Sequence, residues 1–440
     1  MDYYLSIDIG STSGRHIVGW FEDGEIRQDE VYRFSNGPEK KDGHLIWNLD
    51  RLFGEVKTGI RCAFEKYPVI RSLSIDTWGS DYVLMNGDQE ILPSFTYRDS
   101  RTNQSSKEVH DIVPFDEIYE RTGYQYGPYN AIYHLYSDKT MGRLEHATDF
   151  LLMPEYLLYK LSGVKKKEAT NNSTTSLVDP RTGKFDLELT RKLGLPDHLF
   201  TELAAPGTYL GPLLPEIAEE VGGTCNVILC ATHDTESAIS VIPMEQDQIY
   251  ISSGTWSLLG VRLDEPIVTP EGAKAGFSNE GGLDYICYLT NIPGMWVAEQ
   301  LRSNLCPGEN FNVIVSQAEA SGYKHLINPY DPAFTAPESM TQAFCDYLTA
   351  KGCPAPETTG DFFSCAYHSL AFCYKQAIDS LEKVTGQSYE KIYITGGGSK
   401  NKFLNRLTEE YTGKKVIPYP IEASTAGSIL IQMKADRVSE

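Results

Sequence analysis

The stretch Tyr3-Tyr4-Leu5-Ser6-Ile7-Asp8-Ile9-Gly10-Ser11-Thr12-Ser13-Gly14-Arg15, running on into His16–Phe21, decides how this chain folds. Tyr3–Ile9 is a β-favouring apolar run, Gly10–Gly14 a turn, and His16–Phe21 a second apolar run. Two such runs about a Gly-containing turn predict a hairpin. The pattern returns in the second half as Ile249–Ser253, the turn Gly254-Thr255-Trp256-Ser257, and Leu258–Leu263. Ile7-Asp8-Ile9-Gly10-Ser11 lies over Ile251-Ser252-Ser253-Gly254-Thr255, so a duplicated strand–turn–strand unit is expected, one near the start of each half.

A shorter echo sits within the first half: Leu5-Ser6-Ile7-Asp8 recurs as Leu73-Ser74-Ile75-Asp76. Asp is disfavoured inside strands. Two strands ending in Asp therefore predict a shared edge where carboxylates meet solvent. Val227–Ala231 and Lys391–Thr395 read as further strands, each leading through a polar turn into a helix. Leu52, Phe53, Val56, Ile60 and Ala63 recur at helical spacing over Leu49–Phe64, and Phe362–Val384, Asn401–Tyr411 and Ser424–Lys434 read as helices. Alternating strands and helices give an α/β class, with a domain junction expected near Val241–Gln246.

The chain has 440 residues, 39 Lys plus Arg against 60 Asp plus Glu, and a formal charge of −21. That length favours two domains, and that charge argues against nucleic acid or an anionic membrane as partner. The first ten residues carry Asp2 and Asp8 and do not read as a signal peptide. With no apolar run of about 18 residues, no membrane span is expected. The nine cysteines form no Cys-x-x-Cys pair, which suggests reduced thiols and a cytoplasmic protein.

Neither a P-loop nor a dinucleotide fingerprint is present. Gly396-Gly397-Gly398-Ser399-Lys400-Asn401, between a strand and a helix, is either a plain turn or a place where ligand nears the backbone. The turns Gly10–Gly14 and Gly254–Ser257 each offer backbone N–H groups and hydroxyls, and together are suited to holding a polyphosphate. Asp8, just before the first turn, would then hold a divalent metal through water; otherwise it closes the turn. In Thr232-His233-Asp234-Thr235 the Asp meets a helix N-terminus, where it either caps the helix or works on a ligand at a strand carboxyl end. His233 either donates to a substrate oxygen or is structural. Trp78-Gly79 with Asp76 and Asp81 suits a sugar, a ring face for C–H groups and carboxylates for hydroxyls, unless Trp78 is simply core. No nucleophile elbow and no His/Cys metal spacing occurs.

Taken in order, these motifs resemble the FGGY carbohydrate kinases nearly end to end. The matching residues are Asp8–Arg15, Ile75–Asp81, Thr232–Thr235, Ser252–Ser257, Asn279-Glu280-Gly281-Gly282, Asn291-Ile292, Gly396–Asn401 and Glu422–Gly427. The resemblance implies two actin-like, ribonuclease-H-like domains with an interdomain cleft. Residues 1–243 would carry the sugar site and first phosphate turn, and 244–440 the second turn and adenosine site. It implies transfer of phosphate from ATP, with Mg²⁺, to the 1-hydroxyl of a ketose, L-rhamnulose being the expected sugar. A kinase for another ketose such as L-fuculose, or a non-catalytic actin-like ATP-binding protein, is the alternative. Carried over, Asp234 is the proton acceptor, and His233, Asp234 and Thr235 contact the sugar with Gly79 and Asn291, beside the Trp78, Asp76 and Asp81 read above as a sugar site. Ser11, Thr12, Ser13, Gly14, Arg15, Thr255, Gly397, Gly398 and Asn401 contact ATP. The family pattern has a Gln eight residues after Asn291; here Glu299 stands there, with Gln300 beside it. Sugar and ATP are the expected partners, with a monomer or homodimer as the assembly.

Overall fold

A computed structural model of the chain describes residues 1–245, 247–335, 337–419 and 422–438. Gln246, the end of the expected junction, lies outside them. The chain divides into two compact units, Met1–Val241 with Leu263–Tyr288 and Glu422–Glu440, and Ile242–Arg262 with Leu289–Ile421. The linear division at residue 243 stays a proposal; compactness groups two later segments with the first half.

The first unit is built on strands β1 (Tyr4–Ile9), β2 (Ser13–Glu22), β3 (Glu25–Ser35), β4 (Ser72–Thr77), β5 (Thr208–Pro212) and β6 (Asn226–Leu229), in the sheet order β5-β6-β4-β1-β2-β3. Helix α1 (Leu49–Lys66) starts where the Asn48 side chain accepts from the Arg51 N–H at 3.1 Å, a cap that satisfies one orphan donor. Its stripe of Leu52, Val56, Ile60, Ala63 and Phe64 packs into one core with Leu5, Ile7, Ile9, Leu73 and Ile75. The alternate residues of β1 face the other way. There Tyr4 packs on Ile429 and Met433, and Gln432 donates to the Leu5 carbonyl at 3.1 Å and accepts from Ser72 at 2.7 Å. Two helices thus matter to the site: α2 (Asp234–Ser240) and α5 (Ala423–Val438), the latter returning from the far end of the chain.

The second unit carries β7 (Ile249–Ser253), β8 (Trp256–Leu263), β9 (Lys391–Thr395) and β10 (Lys415–Pro418), ordered β8-β7-β9-β10. Helix α3 (Thr359–Thr385) opens with a capping box between Thr358 and Asp361, and α4 (Lys402–Thr412) follows β9. The expected duplication is present. β1 pairs antiparallel with β2 and parallel with β4, and β7 pairs antiparallel with β8 and parallel with β9. The two turns differ by one residue, because Ile9 faces Gly14 across four residues and Ser253 faces Ser257 across three. The turn amide bond changes accordingly, Gly10 N–H to Ser13 O and Gly254 N–H to Trp256 O, both 2.8 Å.

Gly427 is where α5 crosses α2. A Cβ there would overlap the Ser237 carbonyl oxygen, with Ser240 Oγ 2.6 Å away. The obstacle is backbone, so it cannot rotate aside. Gly427→Ala is expected to lower stability by roughly 1–3 kcal/mol, the scale of overpacking, despite the gain in helix propensity; the midpoint of urea unfolding checks this.

Candidate active site

Asp8 stands at the carboxyl end of β1, in register with Arg15 on β2 and Asp76 on β4. Its Oδ2 accepts from Arg15 Nε at 3.0 Å, Arg15 Nη2 at 2.8 Å and Ser424 Oγ at 2.6 Å. Arg15 also pairs with Glu422. Asp8 Oδ1 has no protein hydrogen bond among the described residues and is the open acceptor of this group. The turn beside it is braced from outside by Asn36, whose side chain donates to the Gly10 carbonyl at 2.9 Å and whose N–H reaches the Thr12 carbonyl at 2.9 Å. Ser13, Gly14 and Arg15 already belong to β2, which leaves Ser11 and Thr12 at the turn's tip. Sequence reasoning did not find Asn36, Ser424 or Glu422 as supports of Asp8, since nothing local links them to it.

Asp76 corrects the expectation that the Asp-ended strands meet solvent. It is fully buried and neither carboxylate oxygen has a partner. Beyond Asp76 the chain does not open to solvent, because Thr77 still pairs with the Thr232–His233 segment. Burial above all, and then the charges of Asp8 and Asp234, hold the Asp76 carboxyl well above the usual carboxylate range. An unpartnered buried carboxylate costs several kcal/mol as an anion, so the group favours a proton or a nearby cation.

Asp234 opens α2, with His233 in the N-cap position. Its side chain keeps 34% exposure, enough for a small molecule to reach it, while His233 keeps 10%. Burial of its surroundings pushes the Asp234 carboxyl up, His233 draws it down, and Asp8 raises it again. His233 Nδ1 lies 3.2 Å from Glu280 Oε2, and its Nε2 lies 3.8 Å from Asp234 Oδ1. Burial alone would lower the imidazole, but Glu280 and then Asp234 outweigh it, and the ring is pushed up to about 9. Thr235 Oγ1 turns onto Asp234 Oδ1 at 3.1 Å rather than outward.

The segment before Asp234 is fixed by Glu168, which the sequence did not reveal. This fully buried carboxylate accepts from Thr232 N–H at 3.1 Å, Thr232 Oγ1 at 2.7 Å, Thr170 N–H at 2.7 Å, Thr170 Oγ1 at 2.7 Å and Asn171 N–H at 3.1 Å. Asn171 Nδ2 in turn donates to the Thr232 carbonyl at 3.1 Å, which also accepts from Thr77 N–H at 2.9 Å.

Trp78 is held, not merely buried. Asp81 Oδ2 accepts both Trp78 Nε1 at 2.8 Å and Trp47 Nε1 at 2.6 Å, and the two indoles lie 4.6 Å apart at 38°. Asp81 is thereby engaged in orienting an aromatic platform. The turn needs Ser80 at φ +75, and at Gly79 a Cβ would come within 2.7 Å of Thr174 Oγ1.

In the second unit, Thr255 Oγ1 donates to Glu299 Oε2 at 3.5 Å, and burial raises the Glu299 carboxyl. The Asn291 backbone carbonyl accepts from Tyr330, while its side-chain oxygen is buried without a partner. Of the three glycines, Gly396 (φ +74) and Gly398 are required by packing: a Cβ at Gly396 would sit 2.7 Å from the Ser253 carbonyl, and one at Gly398 would overlap Ser253 Oγ. Gly397 faces open space. Asn401 is fully buried, caps α4 by accepting from Leu404 N–H at 3.1 Å, and meets Tyr367 with its side chain. Tyr374 on α3 reaches Ser257 Oγ at 2.7 Å and so braces the second turn.

Among the described residues no group of three or more His, Cys, Asp or Glu forms a ready-made metal cage. The residues present do fit a magnesium ion that keeps most of its water and takes one carboxylate. Asp8 Oδ1 is open, and the unpartnered Asp76 carboxyl stands in register beside it.

Two ribonuclease-H-like sheets with a glycine turn after the first strand of each define a two-domain, actin-like phosphotransferase scaffold. The FGGY carbohydrate kinase N-terminal domain model matches residues 3–240 and the C-terminal domain model residues 249–435; the chain belongs to this family and is a carbohydrate kinase. It is similar to a rhamnulokinase of Oceanobacillus iheyensis, 37% identical over 98% of this chain and 93% of that protein. A rhamnulokinase of Halalkalibacterium halodurans is 37% identical over 99% and 94%. The fold is shared with a xylulose kinase of Lactobacillus acidophilus, TM-score 0.79 at 19% identity over 100% of this chain and 90% of that one.

Burial pushes Asp81 up to about 7, against the lowering effect of the Trp47 and Trp78 donors. Between an unfolded value of about 3.9 and 7, the native state keeps a proton that the unfolded chain has lost. This group therefore makes stability fall as pH rises through that window. In Asp81→Asn that contribution vanishes. Urea unfolding at pH 4.5 and 7.5 should show a larger loss in wild type than in the variant; equal losses would contradict it.

Proposed function

We propose that this chain transfers the γ-phosphoryl group of ATP to the 1-hydroxyl of L-rhamnulose, giving L-rhamnulose 1-phosphate and ADP. The sugar rests on the similarity to the two rhamnulokinases. The chemistry rests on one observation, the Asp234 carboxylate reachable at a helix N-terminus with an imidazolium at its side.

Trp78 offers its ring face to the sugar's C–H surface, and Gly79 lets the sugar approach the backbone. Asp76 and Asp81 are proposed to bear on the sugar's hydroxyl side, the latter through the indole it orients. His233 and Thr235 bind oxygens next to Asp234, and Asn291 is proposed as a further sugar contact. Asp234 Oδ accepts the proton of the attacking hydroxyl. Phosphoryl transfer tolerates a weak base because its transition state is loose and the proton leaves late; a carboxyl raised by its surroundings is better matched to the task. Ser11, Thr12, Ser13 and Gly14 present turn donors to phosphate oxygens, and Thr255, Gly397, Gly398 and Asn401 are proposed for the nucleotide. Arg15 acts through Asp8, which would hold a hydrated Mg²⁺. That ion supplies charge neutralisation on the phosphates when bound. Among the described residues no helix is long and apolar enough to cross a membrane, and a cytoplasmic site of action fits small soluble substrates.

Coupled ADP detection over a panel of ketoses tests the sugar. L-rhamnulose is expected to give the highest kcat/KM, and a higher value for L-fuculose or another ketose would reassign it. Asp234→Asn should retain ATP and ketose binding by calorimetry while kcat drops by roughly 10²-fold or more, the scale of a lost general base. Unchanged turnover would remove Asp234 from that role.

A further inference from the structure

The structure assigns Glu280 as a positioning residue that fixes the His233 ring as a proton-bearing donor to a sugar oxygen beside the reacting hydroxyl. The inference rests on the kinase reading above and adds a residue to it. Glu280 lies 47 positions from His233 in the chain, on the strand Phe277–Gly281, yet its Oε2 stands 3.2 Å from His233 Nδ1. Both groups are more than nine-tenths buried.

The strand is pinned on either side of Glu280. Asn279 N–H and Nδ2 both donate to the Gly123 carbonyl, at 2.9 and 3.0 Å, and Asn279 Oδ1 accepts from Ile267 N–H at 2.8 Å. Gly281 N–H donates to Ser173 Oγ at 2.8 Å. The carboxylate is therefore delivered to the ring by backbone that cannot drift.

Nδ1 faces the Glu280 carboxylate at an ion-pair distance of 3.2 Å, outside hydrogen-bond geometry, and this leaves Nε2 as the ring nitrogen turned toward Asp234. Nε2 stands 3.8 Å from Asp234 Oδ1, too far for a direct hydrogen bond. The gap is the base of a triangle whose apex, about 2.8 Å from each atom, suits one bound oxygen or two neighbouring ones. An acceptor-only carboxylate and a donor-only imidazolium cannot both be served by a C–H surface. They fit adjacent oxygens of a polyol or ketose, one giving its proton to Asp234 and the other accepting from His233.

The ionisable groups facing His233 are Glu280, then Asp234 and Glu236 on its own helix, while Tyr124 faces Glu280. The neighbours of the ring are thus all acidic, and the carboxylate at Nδ1 is the strongest of them. Removing that one charge leaves burial dominant and releases the proton.

Glu280→Gln keeps shape and removes the charge. Histidine-labelled protein, with His233→Gln used for assignment, gives the ring's titration by NMR. In wild type the signal is expected to titrate at about 9, and in Glu280→Gln at or below the ordinary value of about 6.5. The ratio of ketose KM at pH 8 to that at pH 6 should stay under about twofold in wild type and rise roughly tenfold or more in the variant, as expected for a ring that must be protonated to bind. The KM for ATP should show no such pH dependence, and Glu280→Asp should restore part of the alkaline affinity. An unmoved titration, or a KM rise equal at both pH values, overturns the assignment. Absence of turnover with every ketose would sink the kinase reading instead, while the titration still decides the Glu280–His233 pair.

Discussion

The structure of the first unit depends on gathering acidic groups where sheet strands end. Asp8 raises the proton affinity of both Asp76 and Asp234, and Asp234 raises that of Asp76. A folded chain keeps such an arrangement only if cations and donors compensate it. Arg15 and Ser424 serve Asp8, His233 serves Asp234, and Asp76 is left without a partner. That residual imbalance has chemical meaning. A group of carboxylates short of positive charge is suited to a divalent ion, and the chain's overall negative charge does not exclude an anionic ligand there.

The candidate site residues are held by buried carboxylates, two of them brought from distant parts of the chain and one from three residues on. Glu168 accepts two hydrogen bonds from Thr232 and three more from Thr170 and Asn171, and Thr170 Oγ1 in turn accepts from His233 N–H. Asp81 fixes Trp78 through an indole bond shared with Trp47. Glu280 fixes His233. All three carboxylates are nearly inaccessible to water, so their interactions are little screened and their loss leaves donors stranded. Orientation is thus obtained by burying the supports while the Asp234 side chain stays partly exposed.

The duplicated hairpin was legible because it is local. β-favouring residues on both sides of Gly10 and Gly254 declare strands and a turn without outside help, and the pairing with β4 and β9 follows the same order in both units. Helices α1 and α3 were legible from apolar spacing. Asp76 was misread because alternation within one strand says nothing about where that strand lies in a sheet. The end of β4 pairs at Thr77 with the Thr232–His233 segment, more than 150 positions on, and that contact is not local. The Gly396–Gly398 run was read as one feature, yet packing against Ser253 requires its first and third members and leaves the second in open space.

The sequence by itself determined the class of fold, the two glycine turns, and the identity of the acidic and aromatic side chains, since these follow from residue type and short-range spacing. Only tertiary structure decided which of them are neighbours. Ser424 reaches Asp8 across 416 positions because α5 returns to pack on β1. Glu280 reaches His233 because a strand from late in the chain is stitched to Gly123 and Ser173. Proton affinities such as those of His233 and Asp81 depend on burial and on partners brought from afar, so no local reading of the chain contains them.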